Sequence, residues 1–501
     1  MLFLFLIILC TILLIIIYIR RNKDYWKKRG IFQVHGVFKN FFVNKRSISE
    51  IYKEIFDEHP TLSHIGAFLG RPVLIIKDTK DLQSVLQGDF QNFNSRGIIT
   101  NPNDILSDNV LFMENYGRWK LLRNKLSPIF TKTKLKNMFY IMDRCAQDFI
   151  TFIEDTKCIH RDTYNTLYNY TTSSIGAALF GIDAQTKSTM NSPFISMTRR
   201  ATEPSLKGNL KALIANISPT LFNLFNFKLF GDHEEFFIGT VKRVLEMRRR
   251  EGDKDKRHDF IDMCLELQSQ GTMQDATTGY ELEATDEVLA AQAFFFFVAG
   301  VDTSASAMHF TLLELASNPD VLTRVHNEID KMFDECNGKL TYEGVEKLEY
   351  LDMVLSEALR KYPPIGAIQR RCINSTVLPS GIKIKKDEIV VIPIFALHRD
   401  EKFFPRPSVF DPERFSPENV SKIVKFSYLP FGEGNRMCLG TRFSRVQIKS
   451  GLAWLLRKYT LKEKKYEPLS FAPSLFSVKD EKANFELIPR LVSTKETQYN
   501  G

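Results

Sequence analysis

Ten residues near the end of the chain, Phe431 to Gly440 (FGEGNRMCLG), bring three glycines, one arginine and one cysteine together. The cysteine, Cys438, is one of seven in 501 residues. A solitary cysteine is most often a small buried apolar side chain, so its neighbours decide whether it does more. Gly434 and Gly440 remove side chains where backbone could approach a flat ligand closely. From Leu439 the apolar residues Phe443, Val446, Ala453 and Leu456 follow helical spacing, which predicts a helix starting at the cysteine. A helix N-terminus stabilises a thiolate, and Arg436 adds a fixed positive charge just before it. A thiolate held in this way ligates metals, haem iron among them.

Other pairs have chemical spacing. Trp119 and Arg123 in WKLLR are four apart and share a helix face. In AGVDTS (299–304), Gly300 weakens a helix by about 1 kcal/mol relative to Ala, so it needs a compensating reason. Thr303 can donate back to the carbonyl of Ala299 and open the helix locally; an ordinary small-residue packing site is the alternative. Glu357 and Arg360 in EALR stand at i, i+3, a pair worth only about 0.2–0.5 kcal/mol on an exposed helix. Phe294 to Phe297 surround a helix, because successive residues turn by about 100°. Those three or four before Ala299 are Phe296 and Phe295. Phe296 also stands nearly two turns before Thr303, so Phe296, then Phe295, is expected to line a pocket. Phe294 and Phe297 are expected to pack.

The element that must carry these residues runs from Asp286 to about Ser317. Thr285 is its N-cap, Asp286 and Glu287 fill its first turn, and Asn318-Pro319 ends it. Its apolar stretch is too short to cross a bilayer and predicts a buried helix. The charged stretch before it, roughly 249 to 286, reads as a surface loop. RPVLIIKD (71–78) reads as a strand, and GIKIKKDEIVVIPI (381–394) as a hairpin about a charged turn. Most of the rest reads as helix.

The first 19 residues carry no charge, and six of the next residues, in RRNKDYWKKR, are basic. That pattern predicts a retained membrane anchor with the body on the cytosolic side. Lys plus Arg exceed Asp plus Glu by 68 to 59, a net +9, which suits an anionic surface but lacks the basic stripe of a nucleic-acid binder. The odd, widely spaced cysteines exclude a disulfide framework or a zinc site.

Phe431, Gly434, Arg436, Cys438 and Gly440 together match F-x-x-G-x-R-x-C-x-G, and here the chain resembles the cytochrome P450 superfamily. WKLLR, AGVDTS, EALR, KYPP (361–364) and PERF (412–415) follow in the order that family has. In detail the chain looks most like insect microsomal members that handle foreign compounds, related to the vertebrate drug-metabolising group. The resemblance implies a mainly α fold with a small β-rich region: an anchor (1–20), a basic linker (21–45) and one haem-thiolate monooxygenase domain (46–501). It implies haem b, with Cys438 as iron ligand and Phe431 beside the sulfur. Arg436, Trp119, Arg123 and Arg370 would reach the propionates, with Arg371 as the neighbour that competes with Arg370. Ala299 and Gly300 would form an oxygen groove, and Asp302 and Thr303 would deliver protons. Glu357, Arg360 and Arg414 would form a buried charge network.

The implied reaction inserts one oxygen atom of O2 into a lipophilic molecule, a foreign compound or an endogenous lipid or hormone. Electrons would come from NADPH through a separate NADPH-cytochrome P450 reductase, with cytochrome b5 as a second donor, at the endoplasmic reticulum membrane. A haem-thiolate isomerase or dehydratase and a non-catalytic haem sensor are the alternatives. The proline-rich hinge usual after the anchor is missing. Lys120, Arg123, Lys125, Arg442 and Arg445 are expected to meet the reductase. The apolar segment 213–230, with Phe222 and Phe225, is expected to touch lipid.

Overall fold

The structure is a computed structural model that describes residues 20, 22–156, 162–181, 193–202, 208, 211, 214, 215, 218–252, 257–464, 470–475, 477–480 and 482–490. The uncharged run 1–19, expected to be the anchor, lies outside the described residues. Helices α1 (Val37–Phe42) and α2 (Ile48–Glu58) precede strands β1 (His64–Phe68) and β2 (Pro72–Ile76). The helices that follow include α3 (Tyr116–Leu126), α4 (Lys132–Thr156), α5 (Thr163–Phe180), α6 (Pro219–Leu224), α7 (Glu234–Glu251) and α8 (Phe260–Ser269). The hairpin β3 (Thr272–Gln274) and β4 (Glu281–Glu283) leads into α9 (Asp286–Ser317). Then come α10 (Pro319–Glu335), α11 (Glu349–Lys361), β5 (Ile368–Arg371), β6 (Thr376–Val377), β7 (Lys383–Ile384), β8 (Ile389–Ile392) and α12 (Thr441–Lys458). The described fold is mainly helical with small sheets, as the sequence implies.

α9 has the bounds its caps predict. The Thr285 hydroxyl accepts the Val288 amide at 3.3 Å, and the helix ends at Asn318. It packs against α5, α7, α11 and α12. Among the described residues it is the one helix long and apolar enough to cross a bilayer, yet it is largely buried inside the protein and serves as the core helix. Gly300 sits where a Cβ would strike Ile175 of α5, so this glycine lets two helices approach closely. That contact supplies a reason for Gly300 that is independent of any ligand.

Two local expectations are corrected. The stretch 249–286 is not a loop: it holds the end of α7, all of α8 and the β3–β4 hairpin. Phe260, Ile261, Cys264 and Leu267 form the buried stripe of α8, and burying that stripe is what holds the segment down. Nor is 381–394 a hairpin. β7 pairs with β6, whereas β8 lies between β2 (parallel) and β5 (antiparallel) in a four-stranded sheet ordered β1-β2-β8-β5. All four residues of β8 are buried, and a continuous apolar run needs cover on both faces, which a central strand has.

The expected linker 21–45 is also structured from Asn22 onward. Residues 32–34 bond to the β1 edge through Gly66, and Trp26 is fully buried against the sheet. Phe222, expected at the lipid face, is fully buried, whereas Leu224 and Phe225 are exposed.

Candidate active site

The site is framed from α11. Glu357 and Arg360 are both fully buried and paired at 2.7 Å, and Arg414 approaches Glu357 at 3.5 Å. Arg360 also donates to the carbonyls of His398 and Pro407, each at 2.8 Å. Burial without these partners would leave charge unpaired, so the network fixes α11 to the chain that leads into 431–440. His398 completes the tie: its Nε2 accepts the Leu429 amide at 2.7 Å and its Nδ1 donates to the Arg360 carbonyl at 3.1 Å.

The 431–440 loop then turns back on itself. The Cys438 amide donates to the Phe431 carbonyl at 2.9 Å. Gly434 has φ +75, and a Cβ there would run into the Leu86 carbonyl. Its glycine is therefore required by backbone packing, not by a flat ligand. Gly440 differs: φ is −88 and the nearest atom to a Cβ is Phe130 Cε1 at 4.0 Å, so open space lies beside it. The helix begins at Thr441, three residues later than expected, with Gly440 as its N-cap. Cys438 is exposed, although protein atoms crowd around it. Burial raises its pKa. The Gly440 amide, the Thr441 hydroxyl and the charges of Arg123 and Arg96 oppose that rise. Arg436 does not figure among these groups, because its side chain turns away to the Met113 carbonyl at 2.9 Å.

Around Arg436 the structure gathers positive charge, opposed by the Glu114 carboxylate without an ion pair to Arg436. Arg96, Arg370 and Arg436 are buried or nearly so and act on one another, with Arg123 beside them. Burial depresses Arg436 to about 9 and Arg370 to about 10. Arg436 Nε and Nη1 and Arg370 Nε have no hydrogen-bond partner. Among the described residues, none of Arg96, Arg370 and Arg436 forms an ion pair with a carboxylate. The Arg436 guanidinium lies over the Trp119 ring, 4.5 Å from its centre. Arg123 donates to the Met437 carbonyl at 2.8 Å. Arg371, by contrast, is satisfied by Glu114 at 2.7 Å and Asp387 at 2.8 Å. Buried donors of this kind need an anion.

On α9 the partly accessible residues are Phe295, Val298, Ala299, Gly300, Asp302 and Thr303 in an otherwise buried stretch. All but Gly300 fall on one helix face. Thr303 Oγ1 donates to the Ala299 carbonyl at 2.7 Å, as its position predicts. Asp302 Oδ1 accepts the Tyr164 hydroxyl at 2.7 Å and lies 3.7 Å from Lys479 Nζ. Phe296 is buried between the rings of Phe130 and Phe260, at 5.3 and 5.5 Å. Phe295 is the more accessible of the two rings.

The cytochrome P450 family model matches residues 32–487. The chain belongs to the cytochrome P450 family. Cytochrome P450 6j1 of Blattella germanica is 32% identical over 474 residues, covering 92% of each chain. Cytochrome P450 6a2 of Drosophila melanogaster is 33% identical over 487 residues, covering 94% of this chain and 96% of its own. Cytochrome P450 6B2 of Helicoverpa armigera is 33% identical over 461 residues, covering 89% and 90%. As a cytochrome P450, the protein is a haem-thiolate monooxygenase.

The residues present fit the family's cofactor. A buried arginine cluster with unanswered N–H groups suits two carboxylates, and an accessible thiol beside open space at Gly440 suits a flat metal complex. Arg96, Tyr164, Lys479 and Val298 were missed in the sequence. Nothing local marks Arg96 in NSRGII; only the fold brings it to Arg436, whose carbonyl it bonds at 2.9 Å.

Proposed function

We propose that Cys438 would ligate the iron of haem b and that Arg436, Arg370 and Arg96 would hold its propionates, with Trp119 and Arg123 supporting them. The buried, unpaired arginine cluster beside an accessible cysteine carries this reading. When bound, thiolate-ligated haem activates O2, and the ligand's electron donation favours O–O cleavage. The Phe295–Val298–Ala299 face excludes water and receives an apolar substrate. The Thr303 hydroxyl, turned to the Ala299 carbonyl, holds a proton at Oγ1 next to that face. Asp302 stands one residue away, its Oδ1 held by Tyr164 and near Lys479, placed to resupply that proton through water.

The substrates are lipophilic small molecules, foreign compounds or endogenous lipids and hormones. Electrons come from NADPH through the separate reductase, with cytochrome b5 as an accessory donor. The first 19 residues anchor the enzyme in the endoplasmic reticulum membrane with its body in the cytosol.

The test is the Soret band of the reduced carbon monoxide complex, whose red shift reports thiolate ligation. Cys438→Ser should abolish the shifted band while far-UV circular dichroism stays native. A variant that keeps the band would overturn the assignment.

A further inference from the structure

Sequence position groups Arg445 with basic residues that face outward, yet its side chain turns inward. Its Nη1 donates to Asp352 Oδ2 at 2.7 Å and to the Ser356 hydroxyl at 3.2 Å, both on α11. Lys449, four residues further along α12, stands 3.7 Å from the other oxygen of Asp352. Positions four apart share a helix face, so one face of α12 sets two cations against one carboxylate of α11. The Tyr428 hydroxyl donates to the Ser356 carbonyl at 2.9 Å and bonds Arg445 as well. Burial works against the Arg445 charge, but Asp352 and Tyr428 outweigh it and hold the guanidinium above its ordinary value. This cation is therefore permanent and fixed in place.

Its guanidinium carbon lies 5.6 Å from the centre of the Phe431 ring. Phe431 begins the loop that presents Cys438, and its carbonyl accepts the Cys438 amide at 2.9 Å. The pair with Asp352 is enough to tie α12 to α11. The contact with Phe431 is additional, and it sets positive charge behind the cysteine loop. A fixed cation favours the form of a nearby redox centre that carries the extra electron. A unit charge two side chains away shifts such an equilibrium by about tenfold at an effective dielectric constant of about 20.

We propose that Arg445 is a positioning residue for electron entry: held by Asp352 against Phe431, it would bias the iron of bound haem toward its reduced form. This rests on the reading of Cys438 as the ligand of that iron.

The full-length holoenzyme tests it. Redox titration with dye mediators, in the absence of any reductase, reads the reduction potential, so a docking role for Arg445 does not enter. Arg445→Met should shift the equilibrium about tenfold toward the oxidised form, a fall of about 59 mV for one electron. Asp352→Asn should raise the potential, because the guanidinium loses a counter-charge while Ser356 and Tyr428 still hold it. Loosened packing, or water entering behind the loop, would move both variants the same way; opposite signs separate charge from structure. Both should keep the red-shifted Soret band of the reduced carbon monoxide complex. If wild type lacks that band, the ligand reading fails and takes this proposal with it. If wild type shows the band, any pattern other than a fall in Arg445→Met and a rise in Asp352→Asn overturns the proposal alone. If Arg445→Met holds no haem, Asp352→Asn decides by whether its potential rises.

Discussion

His398 joins two parts of the chain that the site needs together, α11 through Arg360 and the 431–440 loop through Leu429. Burial, with the Arg360 charge beside it, depresses its pKa to about 3. Unfolded, it titrates near 6.5. Between those values the unfolded chain binds a proton that the native chain refuses, so stability falls as pH drops from about 6.5 toward 3. Each pH unit well inside that window costs about 1.4 kcal/mol per such histidine. His326, depressed to about 4 by burial and Arg490, adds the same sign. Denaturant unfolding measured from pH 7.5 to 5 should therefore show a steep loss in wild type and roughly half that slope in His398→Gln. An equal slope in the variant would place the titration elsewhere. At this scale the sequence was partly legible. The Glu357–Arg360 spacing announced a pair and the resemblance added Arg414, but only the fold shows His398 closing around it. Arg371 and Arg370 could not be told apart until Glu114 and Asp387 were seen to satisfy one of them.

At the scale of the element, α9 shows what periodicity can and cannot settle. Its length and cap were readable because Thr285 and Asn318-Pro319 are local signals. Its phase was not, because Phe295 and Phe296 stand nearly equally close to Ala299 on a helical wheel. Packing decides: Phe130 and Phe260 claim Phe296, and Phe295 is left in the middle of the accessible face with Val298, Ala299 and Asp302. The stripe of α8, at helical spacing within a polar stretch, reads as loop in the sequence because the composition hides it. Phe295→Ala should change the distribution of oxidised products with several apolar substrates while haem content is kept. Phe296→Ala should leave that distribution alone and cost about 3–5 kcal/mol of stability, the usual price of emptying a buried aromatic site. Product profiles and unfolding curves of the two variants check this. The reverse pattern would return Phe296 to the pocket wall.

At the scale of the whole molecule, the exposed basic residues beside the Cys438 loop bear on where an electron donor would dock. The Cys438 loop reaches the exterior at Met437, which is exposed, and Arg123 is bonded to the Met437 carbonyl. Arg442 is exposed at the start of α12, and Lys120 and Lys125 are partly exposed on α3. Arg445, expected to belong with them, is instead paired with Asp352 at 2.7 Å and lies over the Phe431 ring. Its charge is spent inside the protein, so the face rests on Lys120, Lys125 and Arg442. With the net charge at +9, an acidic reductase domain should be drawn to this side. Contacts between exposed charges are screened over about 10 Å at 0.1 M salt, so the rate of first electron transfer should fall as ionic strength rises. Arg442→Glu should lower that rate at low salt and flatten its salt dependence, because the remaining attraction is weaker. Stopped-flow reduction under carbon monoxide measures both. Rates unmoved by salt in wild type, or an Arg442→Glu enzyme with the wild-type salt profile, would mean that the reductase docks on another face.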